Sequence, residues 1–292
     1  MADPDRDPMS EPTAQPASVV RIRGVDKRFD AGGQRVTTAL SGIDLDIRRG
    51  EFVSLIGPSG CGKSTLLRLI GDLTAPSEGS VEVNGKPAHA ARLGREYGMV
   101  FQAPVLFDWR TVEDNVRLPL ELLGVDRFER DGRIAEMLDL VELSEFARHH
   151  PYQLSGGMQQ RVAIARALAL QPAILLMDEP FGALDEMTRE RMNSEVLRIW
   201  QQTGTTIVFV THSIPEAVFL STRVVVMSAR PGRITRVVDV PLGHPRNDLT
   251  REDPRYFQVV TEVREALRAG GGFDPEAPIA SADRLNAEGG IG

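Results

Sequence analysis

Residues 51–71 read EFVSLIGPSGCGKSTLLRLIG. The apolar run FVSLI leads into a loop holding Gly57, Gly60 and Gly62, and Lys63-Ser64-Thr65 then opens a stretch with apolar residues at helical spacing. The G-x-x-x-x-G-K-[ST] spacing, set between a strand and a helix, suits the enclosure of a polyphosphate. Across Gly57, Pro58, Ser59, Gly60, Cys61 and Gly62 the backbone can curl until its N–H groups converge on a β-phosphate, and the helix adds its positive N-terminal end. Side chains at Gly60 or Gly62 would fill the room the phosphates need. Lys63 is placed to reach the β- and γ-phosphates as a point charge, the Ser64 hydroxyl to ligate Mg²⁺, and Thr65 to support the α-phosphate. Cys61 reads as a small residue whose side chain turns away from the phosphates. A strand feeding such a loop commits the chain to an α/β fold with its ligand at the carboxyl ends of the strands.

The rest of the chain fits that commitment. FVSLI (52–56), ILLMD (174–178), TIVFVT (206–211) and RVVVM (223–227) lack alternation, as strands buried on both faces of a largely parallel sheet do. From Val19, by contrast, VVRIRGV and IDLDI read as β runs, the second alternating at Ile43, Leu45 and Ile47 before a turn at Arg49-Gly50, so an antiparallel β subdomain should come first. Between Gln102 and Leu154 the segments TVEDNVRLPLELL and DGRIAEMLDLVEL show i, i+3, i+4 spacing, which predicts a helical subdomain, about residues 103–167, inserted into the core. Residues 1–18, rich in Pro, Asp, Ser and Ala, read as a leader unable to bury enough surface to order itself. Residues 246–292 read as a helix, with Phe257, Val260, Val263 and Leu267 on its apolar face, followed by a loose tail.

Composition excludes several classes. A formal charge of −7 argues against a broad nucleic-acid surface. No apolar run approaches the ~18–20 residues a membrane span needs, and MADPDRDPMSEP lacks the basic and apolar regions of a signal peptide. The single cysteine cannot form an intrachain disulfide, so a reducing, cytoplasmic setting is the simplest expectation.

Asp178 and Glu179 end the buried run ILLMD, where open α/β sheets present catalytic groups. Asp178 is expected to hold Mg²⁺ through its hydration shell, and Glu179 to orient and deprotonate an attacking water. His212, closing TIVFVTHS, could hydrogen-bond the γ-phosphate and that water, and Gln102, after GMVFQ, could offer its amide oxygen to Mg²⁺ or to water. LSGGMQQRVAIARAL (154–168) opens a helix with Ser155-Gly156-Gly157, two poor helix formers whose bare N–H groups suit a second phosphate contact.

With that segment the chain resembles the ATPase subunits of ABC transporters: phosphate loop GPSGCGKST, Gln102, signature LSGGMQQR, ILLMDEP, the Ala183-Leu184-Asp185 loop and the switch histidine His212. The resemblance spans about residues 19–245 and implies a P-loop NTPase core. It implies that the Ser155 turn of one copy caps the ATP held by the phosphate loop of a second, in a head-to-tail dimer that includes Asp185. It further implies that Phe29 stacks on adenine, where Tyr is commoner. FGALDEMTRERM (181–192), MSARPGRI (227–234) and RYFQVVTEVREAL are similar to the importer branch for nitrate, sulfonates and taurine, and these segments are expected to lie outside the hydrolytic site. That branch implies permease subunits in the membrane above the dimer, at its cytoplasmic face, and an extracytoplasmic solute-binding protein. Trp109, in the loop after Gln102, could contact the permease or be a core residue. The rival classes, a soluble ABC ATPase acting on nucleic acid or an exporter or cluster-assembly ATPase, share the hydrolytic motifs. The first usually carries long coiled coils or zinc modules, which the fifty or so residues between Gln102 and Ser155 and the lone Cys61 do not accommodate.

Overall fold

The computed structural model describes residues 17–30 and 36–271; the expected leader up to residue 16 and the expected loose end from residue 272 lie outside the described residues. In chain order the first elements are β1 (Ser18–Asp30), β2 (Val36–Arg48), β3 (Phe52–Ile56), α1 (Lys63–Ile70), β4 (Glu78–Val83), β5 (Lys86–Pro87), α2 (Ala88–Leu93) and β6 (Tyr97–Val100). Three helices follow, α3 (Val112–Leu122), α4 (Arg127–Leu140) and α5 (Gly156–Leu168). The chain then runs through β7 (Ile174–Asp178), α6 (Glu186–Thr203), β8 (Thr206–Val210), α7 (Ile214–Leu220), β9 (Arg223–Met227), β10 (Ile234–Asp239), α8 (Asp248–Glu252) and α9 (Pro254–Ala269). β1 therefore opens at Ser18, one residue before the expected start.

Six strands form the central sheet in the order β10-β9-β3-β8-β7-β6. All neighbours are parallel except β10, which runs antiparallel to β9. The unbroken apolar runs are explained by burial on both faces. Phe52, Leu175, Met177, Ile207, Phe209, Val224 and Val226 belong to one core with α3–α7 and α9. Their neighbours in the same strands, Val53, Leu55, Ile174, Leu176, Val208, Val210 and Val225, belong to a second core with α1 and the four-stranded antiparallel sheet β2-β1-β4-β5. A β-strand sends successive side chains to opposite faces, so one apolar run serves both cores.

The helices between β6 and β7 start on side-chain caps: the Thr111 hydroxyl accepts from Asp114 N at the head of α3, and the Asp126 carboxylate from Phe128 N at the head of α4. α3, α4 and α5 pack on one another. At the other end of the chain α9 lies against α7, β9 and β10. Its buried face is Tyr256, Val259, Val260, Val263, Ala266 and Leu267, while Phe257 is exposed. That corrects the expected apolar face by one position at its N-terminal end. Tyr256 takes the inward place because its hydroxyl donates to Pro215 O of α7 at 3.1 Å, and its neighbour, about 100° round the helix, must then face out.

Candidate active site

The phosphate loop bridges the carboxyl end of β3 and the amino end of α1. Gly60 and Gly62 have φ of +71° and +101°, a left-handed backbone that side chains disfavour, and a methyl group on Gly62 would lie 2.6 Å from Leu40 Cδ2. Cys61 is buried beneath the loop and its thiol is pushed up by burial, so it packs rather than reacts. No side chain caps α1, and its first-turn N–H groups remain available to an anion. Lys63, only 6% exposed, donates from Nζ to Gly57 O at 2.8 Å and Pro58 O at 3.3 Å. Ser64 Oγ donates to Asp178 Oδ1 at 2.7 Å, joining the loop to the end of β7.

A cleft of about 270 Å³ opens over this loop. Its walls include Phe29, Ser59, Lys63, Ser64, Thr65 and Glu179. The Phe29 ring is 44% exposed with Lys27 Nζ 4.9 Å from its centroid, and it pairs across the β1–β2 ladder with Thr37, another wall residue. Glu179 follows β7 with φ +46° and donates its backbone N–H to Val210 O of β8 at 3.1 Å. His212 Nδ1, just past β8, lies 3.6 Å from Glu179 Oε2. Gln102 is exposed after β6, its Nε2 3.0 Å from where a methyl group on Gly182 would sit, which places it beside the loop that follows Glu179.

His212 and Gln102 adjoin Glu179 and the loop after it without lining this cleft, and two further sets of expected site residues stand apart from it. Ser155 caps α5 by accepting from Met158 N at 3.3 Å, and Ser155 and Gly156 are exposed. Methyl groups on Gly156 and Gly157 would meet Leu184 and Thr188, so the signature turn adjoins the Asp185 loop of its own chain. Asp185 caps α6 by accepting from Thr188 N at 3.0 Å, and that hydrogen bond holds its carboxyl below the usual range. Neither set lines the cleft among the described residues.

The structure also corrects one expectation. The MSARPGRI segment does not lie outside the site: Arg230, in the turn between β9 and β10, lines the cleft and donates from Nε to Gly60 O at 2.7 Å. Thr37, Ala39 and Gln160 were missed as well. Ala39 lines the cleft beside Thr37. Gln160 is buried in α5 and donates to Phe101 O at 2.9 Å, while Arg166 of the same helix donates to Val105 O and Pro104 O, so the signature helix grips the chain on both sides of Gln102. Trp109 is 75% exposed and packs on Phe107 with ring centroids 4.8 Å apart, which excludes a core role. A larger hollow of about 580 Å³ sits at the amino ends of β7 and β8, lined by Gln171, Ala173 and Thr205. Open α/β sheets bind ligands at the opposite ends of their strands.

A glycine loop on a helix N-terminus, a lysine within it, and a carboxylate beside a histidine at the carboxyl ends of parallel strands define a nucleotide-hydrolysing cassette. Residues 40–182 match the family model described as ABC transporter. The chain is 43% identical over 246 residues to the taurine import ATP-binding protein of Jannaschia sp., covering 84% of this chain and 91% of that one. It is 42% identical over 252 residues to the aliphatic sulfonates import ATP-binding protein of Bacillus thuringiensis, covering 86% and 97%. A solved dimeric ATP-binding cassette, in a post-hydrolysis state bound to ADP and Pi, superposes with a TM-score of 0.66 at 38% identity, over 77% of this chain and all of that one. The chain belongs to the ABC transporter family as an ATP-binding, ATP-hydrolysing cassette.

Proposed function

We propose that this chain is the ATPase subunit of an importer for a small sulfonate-class solute, working as a head-to-tail pair of identical copies at the cytoplasmic face of a membrane, beneath permease subunits. Residues 19–245 form the catalytic unit in this reading and residues 246–292 an appended segment. The observation that carries it is the separation within one chain of the Ser155 turn from the phosphate-loop cleft: both are exposed, and a second copy can bring its turn to the first copy's loop. The solved dimeric cassette and the names of the taurine and sulfonate relatives support the pairing and the solute class. Among the described residues no helix is long and apolar enough to cross a membrane; in this reading the permease subunits hold the chain at the bilayer. The solute reaches that permease from an extracytoplasmic binding protein.

In this reading Phe29 stacks on adenine, the loop from Gly57 to Gly62 and Lys63 hold the phosphates, and the partner's Ser155, Gly156, Gly157 and Asp185 close over them. Glu179 accepts a proton from a water whose oxygen attacks the γ-phosphorus. The bond to the β–γ bridging oxygen breaks and ADP leaves with those electrons. His212, beside Glu179, orients that water. Ser64, Asp178 and Gln102 offer only oxygen donors that fit Mg²⁺, which keeps several waters and shares phosphate oxygens rather than needing an all-protein cage. When bound, Mg²⁺ neutralises charge developing on the phosphates.

Affinity purification from membranes tests the proposal. Recovery with a multi-span permease, and ATPase activity in the reconstituted complex that rises with taurine- or alkanesulfonate-loaded binding protein, is the expected result. Recovery with DNA or a soluble scaffold overturns it.

A further inference from the structure

We propose that Arg230 is a second cationic contact for the phosphate chain of the bound nucleotide, held over the phosphate loop by the turn between β9 and β10. The inference rests on the nucleotide reading of the cleft and adds a residue to it.

The turn is built to stay in place. Ser228 N donates to Arg233 O at 2.9 Å, Arg233 N donates to Ser228 Oγ at 3.0 Å, and Ser228 Oγ donates to Pro231 O at 3.2 Å, so the turn is closed by its own hydrogen bonds. Gly232 then ties it to β2: its N–H donates to Ala39 O at 2.9 Å and its carbonyl accepts from Ser41 N at 3.0 Å. A methyl group on Gly232 would fall 2.0 Å from Cys61 O, so the turn is pressed against the phosphate loop with room for glycine alone. Arg230 emerges from this fixed point. Its Nε reaches Gly60 O, and its Nη2 lies 2.6 Å from where a Gly60 side chain would begin. The guanidinium therefore covers the loop at the one place where only a glycine leaves room for it.

Two cations line the cleft, Lys63 and Arg230. Lys63 directs its ammonium to two loop carbonyls, as a compact charge inside the loop. Arg230 spends one of its five N–H donors on Gly60 O, and among the described residues no carboxylate pairs with it and no acceptor engages its terminal nitrogens. A planar fork with unspent donors, fixed beside a polyphosphate pocket, matches phosphate oxygens better than an ammonium does. The MSARPGRI segment thus delivers the fork, through Arg230, together with the close-packed Gly232 that sets its height.

The test compares wild type, Arg230→Gln and Arg230→Lys in the complete protein. The readouts are steady-state ATP hydrolysis and competitive inhibition by inorganic tripolyphosphate and by adenosine. Loss of a charge-assisted contact predicts that Arg230→Gln raises the KM for ATP and the tripolyphosphate inhibition constant about tenfold. Its kcat stays within about twofold and adenosine inhibition is unchanged, while Arg230→Lys recovers most of the lost tripolyphosphate affinity. An unchanged KM for ATP overturns the proposal, as does equal weakening towards adenosine and tripolyphosphate, which would mark a strap that only shapes the loop. Wild-type protein indifferent to tripolyphosphate would instead remove the nucleotide reading on which the proposal rests.

Discussion

Ser64 Oγ donates to Asp178 Oδ1 across 2.7 Å, tying the first turn of α1 to the last residue of β7. Two elements more than a hundred residues apart in sequence thus bring a hydroxyl and a carboxylate to one point at the mouth of the phosphate loop. Both are hard oxygen donors of the kind Mg²⁺ takes. Removing either should shift the metal requirement before it shifts nucleotide affinity. Ser64→Ala and Asp178→Asn are each expected to raise the Mg²⁺ concentration for half-maximal ATPase activity by about 10–100-fold, the range typical of lost metal-orienting groups. A Mg²⁺ titration of both variants with the midpoint unmoved would remove them from the metal site.

Glu179 and His212 make the second prediction. The carboxylate and the imidazole are 3.6 Å apart at the ends of neighbouring strands, and Glu179 lines the cleft where a water can enter. Glu179 also holds a left-handed backbone at φ +46°, a conformation costing about 1–3 kcal/mol that tends to occur at functional sites. Glu179→Gln keeps the shape and loses the base, so kcat should fall about 10²–10⁴-fold while ATP affinity is retained. Hydrolysis then being slower than closure, the variant should run as a dimer with ATP in size-exclusion chromatography. Normal turnover by Glu179→Gln would transfer the role of base to another group.

How much of the fold and site was legible in advance differs from residue to residue. FVSLI, ILLMD, TIVFV and RVVVM announced buried parallel strands, because burial on two faces leaves no polar position to break the run. The phosphate loop was legible because glycine spacing, lysine and hydroxyl lie within nine residues of each other. β4 and β10 were not read, since EGSVEV and ITRVVD expose at least half of their residues, which breaks the apolar run, and so imitate loops. Arg230 was invisible for a different reason. Its partner is a backbone carbonyl 170 residues away, and nothing local distinguishes an arginine over Gly60 from one in solvent. Gln160 escaped likewise: its buried amide serves Phe101 O through tertiary packing alone. Phe257 misled the reading of α9 because an aromatic at helical spacing fits the period as well as Tyr256, and only the Pro215 carbonyl decides between them.

Arg246 supplies a stability prediction. It is buried, and its Nη1 donates to Val218 O, Phe219 O and Ser221 O at 2.8–3.1 Å, closing the carboxyl end of α7, the helix that starts two residues after His212. Nη2 donates to Leu242 O at 3.3 Å, so the same side chain fastens the segment after β10 to that helix end. Burial pushes its guanidinium down to about 10, still charged at neutral pH. Arg246→Met fills similar volume but leaves helix-end carbonyls buried without donors, a loss of about 3–5 kcal/mol. Urea unfolding should show a lower midpoint with an unchanged slope. An unchanged midpoint would mean that water replaces all of these bonds.

The last prediction concerns pH. His244 packs edge-on against Trp200, with ring centroids 4.9 Å apart, in a hollow also lined by Asp253 and Arg255. Partial burial first, and the Arg246 charge second, push its imidazole down from 6.5 to about 4. In the unfolded chain the same ring titrates at its ordinary value, so between about pH 4 and 6.5 the unfolded state binds more protons than the folded one. Stability from this residue is therefore complete above about pH 6.5, falls as the pH is lowered, and is gone below about 4. The ring is partly open to solvent, and screening reduces the effect at pH 5 to about 1 kcal/mol. His244→Gln should not share it. Thermal melts of wild type and variant at pH 7.5 and pH 5 isolate the residue from the carboxylates that titrate in both proteins. The wild type should lose a few degrees more than the variant on acidification, and equal losses would show that His244 titrates alike in the folded and unfolded chains.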